Sequence, residues 1–495
     1  SEHVSGSDLS PQNRLNTHYP LLENYSLTNI HSIMKLKHYF IYAVLMAMTW
    51  TACSDDNDIK GNNDEEQGTT ENVSGEVEGI WEAHSTINVT GHLTVPAGKS
   101  LTIEEGVQVI FSTDGVGANH APIEFTVDGN LYCKGTITNP IRFSIAEELR
   151  THNNIFNEDA MWGGIVATAN CAEMLIDHTI IEYTGGQVIT GSPAANREEY
   201  TAGDDAYPQI TTNNINGRYV ITNSILRNGW SDGIYMMGGN AIIANNIFAA
   251  NGFDGAEAVN VKCGCVADVA GNVMFSPNTN GLKLSSSGQS ETRKQAKIQA
   301  YNNTIINAGW RRDGEKGGCV YAEKNVLANV FNNLMVNCKF RAQTPSYNLP
   351  NDPEEGYASA SVIDYNYYAS GNQKSDIVFN GEKESGVAYA WEGYNYAHKS
   401  YYQGVVDAHS IIATQTDSKD PKFVNFDINS TKLTSYDYND NWDFHVQSSS
   451  PVLSGAASAS ETFAAPYFGT TGLSVGGKTY TSPAVQTHFG AYGTK

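Results

Sequence analysis

The chain has 495 residues and carries 53 Asp and Glu against 30 Lys and Arg, a net charge of −23. Such a field repels nucleic acid and anionic lipid, so an anionic ligand must be met by a local basic cluster or a bound cation. Hydrophobic residues make up 40% of the chain, aromatics 10%, and there are 46 glycines, a balance that suits an all-β protein with many turns and gives little support to a helical one.

Residues 1–33 match no targeting pattern, lie upstream of Met34 and are not expected in the mature protein. Met34 opens an export signal over residues 34–52: Lys35 and Lys37 precede the apolar run Tyr39 to Trp50, and Thr51-Ala52-Cys53 follows. The run is too short for a membrane-spanning helix, which needs about 20 residues. Thr51-Ala52-Cys53 resembles the lipobox of bacterial lipoproteins, with Trp50 where Leu is usual, and this implies lipid attachment at Cys53 as the mature N-terminus. Residues 53–80, which include Ser54-Asp55-Asp56-Asn57-Asp58 and Asp64-Glu65-Glu66, have little apolar surface to bury and read as a flexible acidic tether. An acidic stretch after a lipidated cysteine is similar to the export tag of Bacteroides-type surface lipoproteins. That likeness implies an outer-membrane protein facing the cell exterior, touching the membrane through its N-terminal lipid only. Removing residues 1–52 deletes three acids (Glu2, Asp8, Glu23) and three bases (Arg14, Lys35, Lys37), so the mature chain keeps the whole −23.

From Trp81 the pattern changes to short apolar runs between turn residues. Gly91 to Val107 alternates apolar and polar side chains between Gly and Pro, as a pair of strands does. A phrase then recurs: Asn223-Ser224-Ile225, Asn245-Asn246-Ile247, Gly271-Asn272-Val273, Asn302-Asn303-Thr304-Ile305 and Asn332-Asn333-Leu334, starting 22, 26, 31 and 30 residues apart. The spacing is too irregular for a helical repeat and suits a solenoid that tolerates loops. In a parallel β-helix successive turns lie about 4.8 Å apart, so like stacks on like. Asparagine fits the corners, because it tolerates left-handed backbone and its amide can bond to the rungs on either side. Residues 81–370 are therefore expected to form the solenoid. Residues 186–212 and 343–358 read as loops thrown out from it. The tyrosine-rich stretch from Tyr365 to Tyr402 belongs largely to C-terminal coils and a cap over residues 371–495.

The stretch Gly91 to Val107, with Ile141-Arg142-Phe143, Trp162-Gly163-Gly164-Ile165-Val166, Asp443-Phe444-His445-Val446, Ser450-Pro451-Val452-Leu453 and Phe489-Gly490-Ala491-Tyr492, resembles the right-handed parallel β-helix proteins of the pectate-lyase-like superfamily. The resemblance implies the fold, and a polysaccharide, anionic or neutral, as partner of a monomeric chain. Superfolds host many functions, so a non-catalytic adhesin or structural surface protein is the alternative.

Counting nine residues from each of the first three rung starts gives Asp232, Asp254 and Asn280, each followed by glycine. In register, Asp232 and Asp254 would lie about 5 Å apart and need a cation, a raised pKa or bulk water. Calcium is the natural hard cation for such oxygens, which makes Asp232 and Asp254 candidate metal ligands. Three residues on, the column reads Tyr235, Glu257, Lys283. Asn280-Gly281-Leu282-Lys283-Leu284 resembles the segment carrying the lysine base in one pectate lyase family, and this implies Lys283 as the catalytic base of a calcium-dependent uronate lyase. The plainer reading gives Asp-Gly and Asn-Gly the role of tight corners and pairs Lys283 with Glu257 at the surface. A hydrolase would need close carboxylates with a supporting histidine, and His178 lies in an earlier rung. Two basic clusters, Arg293, Lys294 and Lys297 and then Arg311, Arg312 and Lys316, are expected on neighbouring loops. Six cysteines follow Cys53 without metal-binding spacing, and Cys263 and Cys265 look like core residues.

Overall fold

The computed structural model describes residues 68–314, 316–341, 355–375, 388–394 and 407–495. The upstream segment, the export signal, Cys53, Tyr396, Tyr401 and Tyr402 lie outside them. None of the described helices is long and apolar enough to cross a membrane.

The described chain winds as a parallel β-helix with three faces. The first is a ten-stranded parallel sheet from Gly79–Trp81 to Val362–Ile363. The second runs from the start of the long strand Thr86–Val95 through Gln108–Phe111, Ile225–Gly229 and Ile247–Asn251 to Ile411–Ile412. The third begins at the other end of that long strand. It continues through Phe125–Val127, Ile165–Ala167, Ile210–Thr212, Ile234–Met236, Val259–Val261 and Asn280–Ser285 to Gly318–Glu323.

Registry is what the sequence pattern encodes. On the second face Val109, Phe143, Ile181, Leu226, Phe248, Met274, Ile305, Met335 and Tyr368 form one column of paired positions, all fully buried. These stacked apolar side chains fill the bore, which is where the main core sits.

The recurrent phrase makes the corner between the first and second faces. Its first residue takes the left-handed conformation at Asn223, Asn245, Gly271, Asn302 and Asn332, with φ from 49° to 69°. The second residue forms a buried ladder. Asn246 Nδ2 donates to Asn272 Oδ1 at 3.0 Å, Asn272 to Asn303 at 2.9 Å, Asn303 to Asn333 and Asn333 to Asn366 at 3.0 Å each. The second amide proton of each goes to a backbone carbonyl, as from Asn272 to Ile243 and from Asn303 to Val269. The ladder is longer than the phrase, because Thr179 and Ser224 continue it on one side and Asn366 and Ser410 on the other.

Three findings modify the expected outline. First, Thr70–Glu76, inside the stretch expected to be tether, is a strand paired in parallel with Thr86–Val95. Only Val73 in it faces the core, so hydrophobic alternation could not reveal it, and edge hydrogen bonds hold it. Second, the C-terminal aromatics do two jobs. Tyr394, in the short helix Ala390–Tyr394, packs on Tyr368 at the last coil and its hydroxyl accepts from the Cys338 N–H at 2.8 Å. Residues 421–495 instead run back along the flank. Phe423, Phe426, Phe444 and Phe489 cover the outer side of the second face, while Phe468, Leu473 and Val475 cover that of the first. Third, all six described cysteines are buried and unpaired.

Candidate functional site

Of the three faces, the third is the one that the described C-terminal residues leave uncovered. Its inward columns are apolar but for Thr212: Ile210, Ile234, Val259, Leu282 and Val320 pair in sequence, as do Thr212, Met236, Val261, Leu284 and Ala322. Between them each strand turns one side chain outward, giving the column Thr211, Tyr235, Asn260, Lys283, Tyr321.

Two residues before the strands Ile234–Met236 and Val259–Val261 lie Asp232 and Glu257. The Gly233 N–H donates to the Glu257 carbonyl at 3.0 Å and the Ala258 N–H to the Asn280 carbonyl at 3.2 Å, which aligns Asp232, Glu257 and Asn280. The carboxylate stacked on Asp232 is therefore Glu257. The Glu257 N–H donates to Asp232 Oδ1 at 2.7 Å, and Asn260 Nδ2 reaches Asp232 Oδ2 at 3.4 Å and Glu257 Oε2 at 3.3 Å. Asn280 Nδ2 donates to Glu257 Oε1 at 3.1 Å. All four residues are buried. Burial, and then the neighbouring Glu257 charge, push the Asp232 carboxyl well above the usual aspartate range. Burial and the neighbouring charge therefore both favour the protonated form of Asp232.

Two lysines face this pair. Lys283 Nζ lies 3.7 Å from Glu323 Oε1 and 5.8 Å from the Tyr321 ring centroid. Burial works against its charge, but Glu257, Glu323 and Asp232 outweigh it, and Lys283 is held above the usual lysine value. Lys262, just past the strand Val259–Val261, lies with Nζ 5.7 Å from the Tyr235 ring centroid and makes no ion pair with any described residue. Burial, reinforced by the Lys283 charge, lowers it.

A loop over residues 186–208 rims the patch. Buried Glu124 pins it, accepting from Ala194 N–H at 2.8 Å, from the Tyr207 hydroxyl at 2.6 Å and from Arg197. The loop's Tyr200 bonds Thr211 Oγ1 at 2.6 Å, and its ring lies 6.2 Å from that of Tyr235.

The structure thus brings Asp232 and Lys283 onto one face and leaves Asp254 off it. Asp254 is largely exposed, on the loop before Glu257, and pairs with Arg312 at 2.9 Å. Nine-residue counting fails at that rung because Gly252 to Ala256 is three residues longer than its neighbours, with φ of 88°, 97° and 92° at Gly252, Gly255 and Ala256. Sequence reasoning also missed Glu257 as the partner of Asp232, together with Asn260, Lys262 and Glu323. Matching Ile234-x-Met236, Val259-x-Val261 and Leu282-x-Leu284 would have found the register. The leading arginine of each basic cluster serves the solenoid itself: Arg293 donates to Asn213 Oδ1 at 2.7 Å, and half-buried Arg311 donates to the carbonyls of Gly252 and Ser276 at 2.6 Å. His178 occupies the ladder corner, with φ of 44°.

The Oδ1 atoms of Asn260 and Asn280 are buried and accept no hydrogen bond from the described residues. With the Asp232 and Glu257 carboxylates they form an all-oxygen set, the type hard cations prefer. No group of three or more His, Cys, Asp or Glu side chains converges among the described residues. No protein-family model matches this chain, and no curated protein matches it significantly.

Proposed function

We propose that the third face binds polysaccharide and cleaves uronate-containing chains by elimination, as the likeness to pectate-lyase-like β-helices suggests. The observation that carries this reading is the placement of the buried Asp232 and Glu257 carboxyls, stacked rung on rung, beside the cationic Lys283. Elimination next to a carboxyl group needs a base for the C–H, a cation to stabilise the charge that develops on the carboxylate, and an acid for the departing oxygen. Lys283 faces where the sugar carboxylate would sit, and the Asp232 carboxyl, raised by burial, would supply a proton to the leaving group. Tyr235 and Tyr321, one rung before Asn260 and one after Lys283, offer faces for sugar rings.

Calcium fits the donor chemistry of Asp232, Glu257, Asn260 and Asn280, with solvent completing the coordination, but a bound ion would displace the carboxyl proton, and water would then protonate the departing oxygen. Bound there it would neutralise a uronate carboxylate and acidify the neighbouring C–H. Asp254 is dropped from this ligand set. Lipid attachment at Cys53 would tether the monomeric solenoid to the outer membrane on the side of the exterior medium.

The test is incubation of the folded chain with polygalacturonate and alginate, with calcium or a chelator, while the ultraviolet absorbance of the new C=C bond is followed. Release by the wild type that falls about 100-fold or more in Glu257→Gln supports the reading. A folded protein that releases no unsaturated product from either polymer overturns it and leaves the adhesin alternative.

A further inference from the structure

Between the second and third faces the chain turns at Trp230 in one rung, just after the strand Ile225–Gly229, and at Phe253 in the next, just after Ile247–Asn251. The Gly252 N–H donates to the Gly229 carbonyl at 2.8 Å and the Phe253 N–H to the Trp230 carbonyl at 2.9 Å, so the two rings stand in register, with centroids 4.3 Å apart. Phe156 lies 5.5 Å from Phe253 and 5.2 Å from Tyr436, whose ring stacks on His152 at 5.5 Å. Segments far apart in the chain thus contribute to one continuous row of rings. The Arg311 guanidinium lies against it, 5.3 Å from the Phe156 centroid and 5.8 Å from that of Tyr436. Its N–H groups go to the carbonyls of Asn251, Gly252 and Ser276 and to the Ser276 hydroxyl, and it has no carboxylate partner among the described residues.

A row that served packing alone would be hidden, yet Phe253 is 49% exposed and Trp230, Phe156 and Tyr436 are only half-buried. The rings are fixed by contacts with one another and with Arg311, so little order has to be gained when a ligand lies on them. The ion pairs Arg312 with Asp254, at 2.9 Å, and His152 with Asp437, at 2.8 Å, border the row. Flat apolar faces edged by polar groups suit a pyranose, which sets its C–H face on the ring and its hydroxyls at the margin, and the unpaired Arg311 charge favours an acidic one. A second copy of this chain is the less suitable occupant, because each copy brings a net charge of −23. Trp230 precedes Asp232 by two residues and Phe253 precedes Glu257 by four. These are at most about 7 and 14 Å of extended chain, so the row adjoins the stacked carboxyls at the same rungs.

We infer that Trp230, Phe253, Phe156 and Tyr436 form a second sugar subsite, onto which a polysaccharide continues from the column Tyr235, Asn260, Lys283 past Asp232 and Glu257. This rests on the polysaccharide part of the reading above and not on its elimination chemistry or its calcium.

The test is native electrophoresis of the intact protein through gels containing polygalacturonate or alginate, with a chelator present so that no calcium-dependent cleavage shortens the polymer. Phe253→Ala removes the most exposed ring and should melt with the wild type, while Phe253→Trp keeps a flat face. The expected result is retardation of the wild type by at least one polymer, an apparent Kd raised about 3- to 10-fold in Phe253→Ala and in Trp230→Ala, and recovery in Phe253→Trp. Equal retardation of the wild type and Phe253→Ala overturns the subsite and leaves the third-face reading standing. A wild type that is not retarded also overturns it, since the row includes no calcium ligand, and the absorbance assay with calcium then decides the elimination reading separately. Sedimentation velocity covers the other occupant: a wild-type dimer that Phe253→Ala abolishes assigns the rings to a contact between copies and overturns the subsite.

Discussion

The asparagine corner and the third face are built by the same device, vertical registry, with opposite results. In the corner, identical neutral amides stack and each is completed by the rungs on either side, so Asn246, Asn272, Asn303 and Asn333 are buried with both amide protons donated. On the third face, registry sets carboxylate against carboxylate and amine beside amine. Repetition of a group that can both donate and accept stabilises a solenoid, whereas repetition of charge leaves a residual cost that a ligand or a proton can relieve. The contrast separates positions that serve the fold from those that would serve the proposed reaction.

Breaking the corner should have the largest effect. Asn272→Ala leaves the Asn246 amide and the Ile243 carbonyl short of partners, and each buried group so orphaned costs about 1–3 kcal/mol. Thermal melting should show the mid-solenoid variant falling well below wild type. An unchanged melting temperature would mean that the ladder is decorative.

On the face, Glu257→Gln should remove little fold stability while abolishing product release. It should also change the pH dependence. Asp232 is raised in the folded chain, so its contribution to stability is complete below the ordinary aspartate range and is lost as pH rises through the higher folded value. Denaturant titrations above pH 4 should therefore show a shallower loss with rising pH in the variant. An identical slope would show that Glu257 does not act on Asp232.

The flank gives an intermediate case. Buried Asp268 accepts from the Tyr467 and Phe468 N–H groups at 3.0 and 2.8 Å and from the Ser482 hydroxyl at 2.5 Å, tying the C-terminal segment to the first face. Asp268→Asn sets an amide against those donors and should cost about 1–3 kcal/mol, seen as faster proteolysis between residues 455 and 495. Product release should be unchanged, because the segment lies off the third face. The smallest effect belongs to Asp254→Ala, which loses an exposed ion pair worth about 0–1 kcal/mol and should alter neither stability nor calcium response.

The architecture was legible because left-handed corners and amide ladders restrict residue choice strongly. Asn223-Ser224, Asn245-Asn246 and Asn302-Asn303 announce themselves even when loops vary the repeat length. The ladder's ends were hidden, since Tyr365 and His178 take the left-handed position without being typical of it, with φ of 53° and 44°. The flank was illegible for another reason. Asn302 binds the His488 carbonyl and Asn332 the Ala457 carbonyl, contacts closed over 186 and 125 residues that leave no local trace. Half of the candidate site could be read: Asp232 and Lys283 were identified, but the insertion at Gly252 to Ala256 displaced the count and put Asp254 where Glu257 stands.

The direct measurement is a carbon-13 NMR titration of the Asp232 carboxyl in the wild type, in Glu257→Gln and in Asp254→Ala. Stacking of Asp232 on Glu257 predicts titration well above the ordinary aspartate range in the wild type, a clear fall in Glu257→Gln and no change in Asp254→Ala. Titration in the ordinary range in all three proteins, or a shift produced by Asp254→Ala instead, would contradict it.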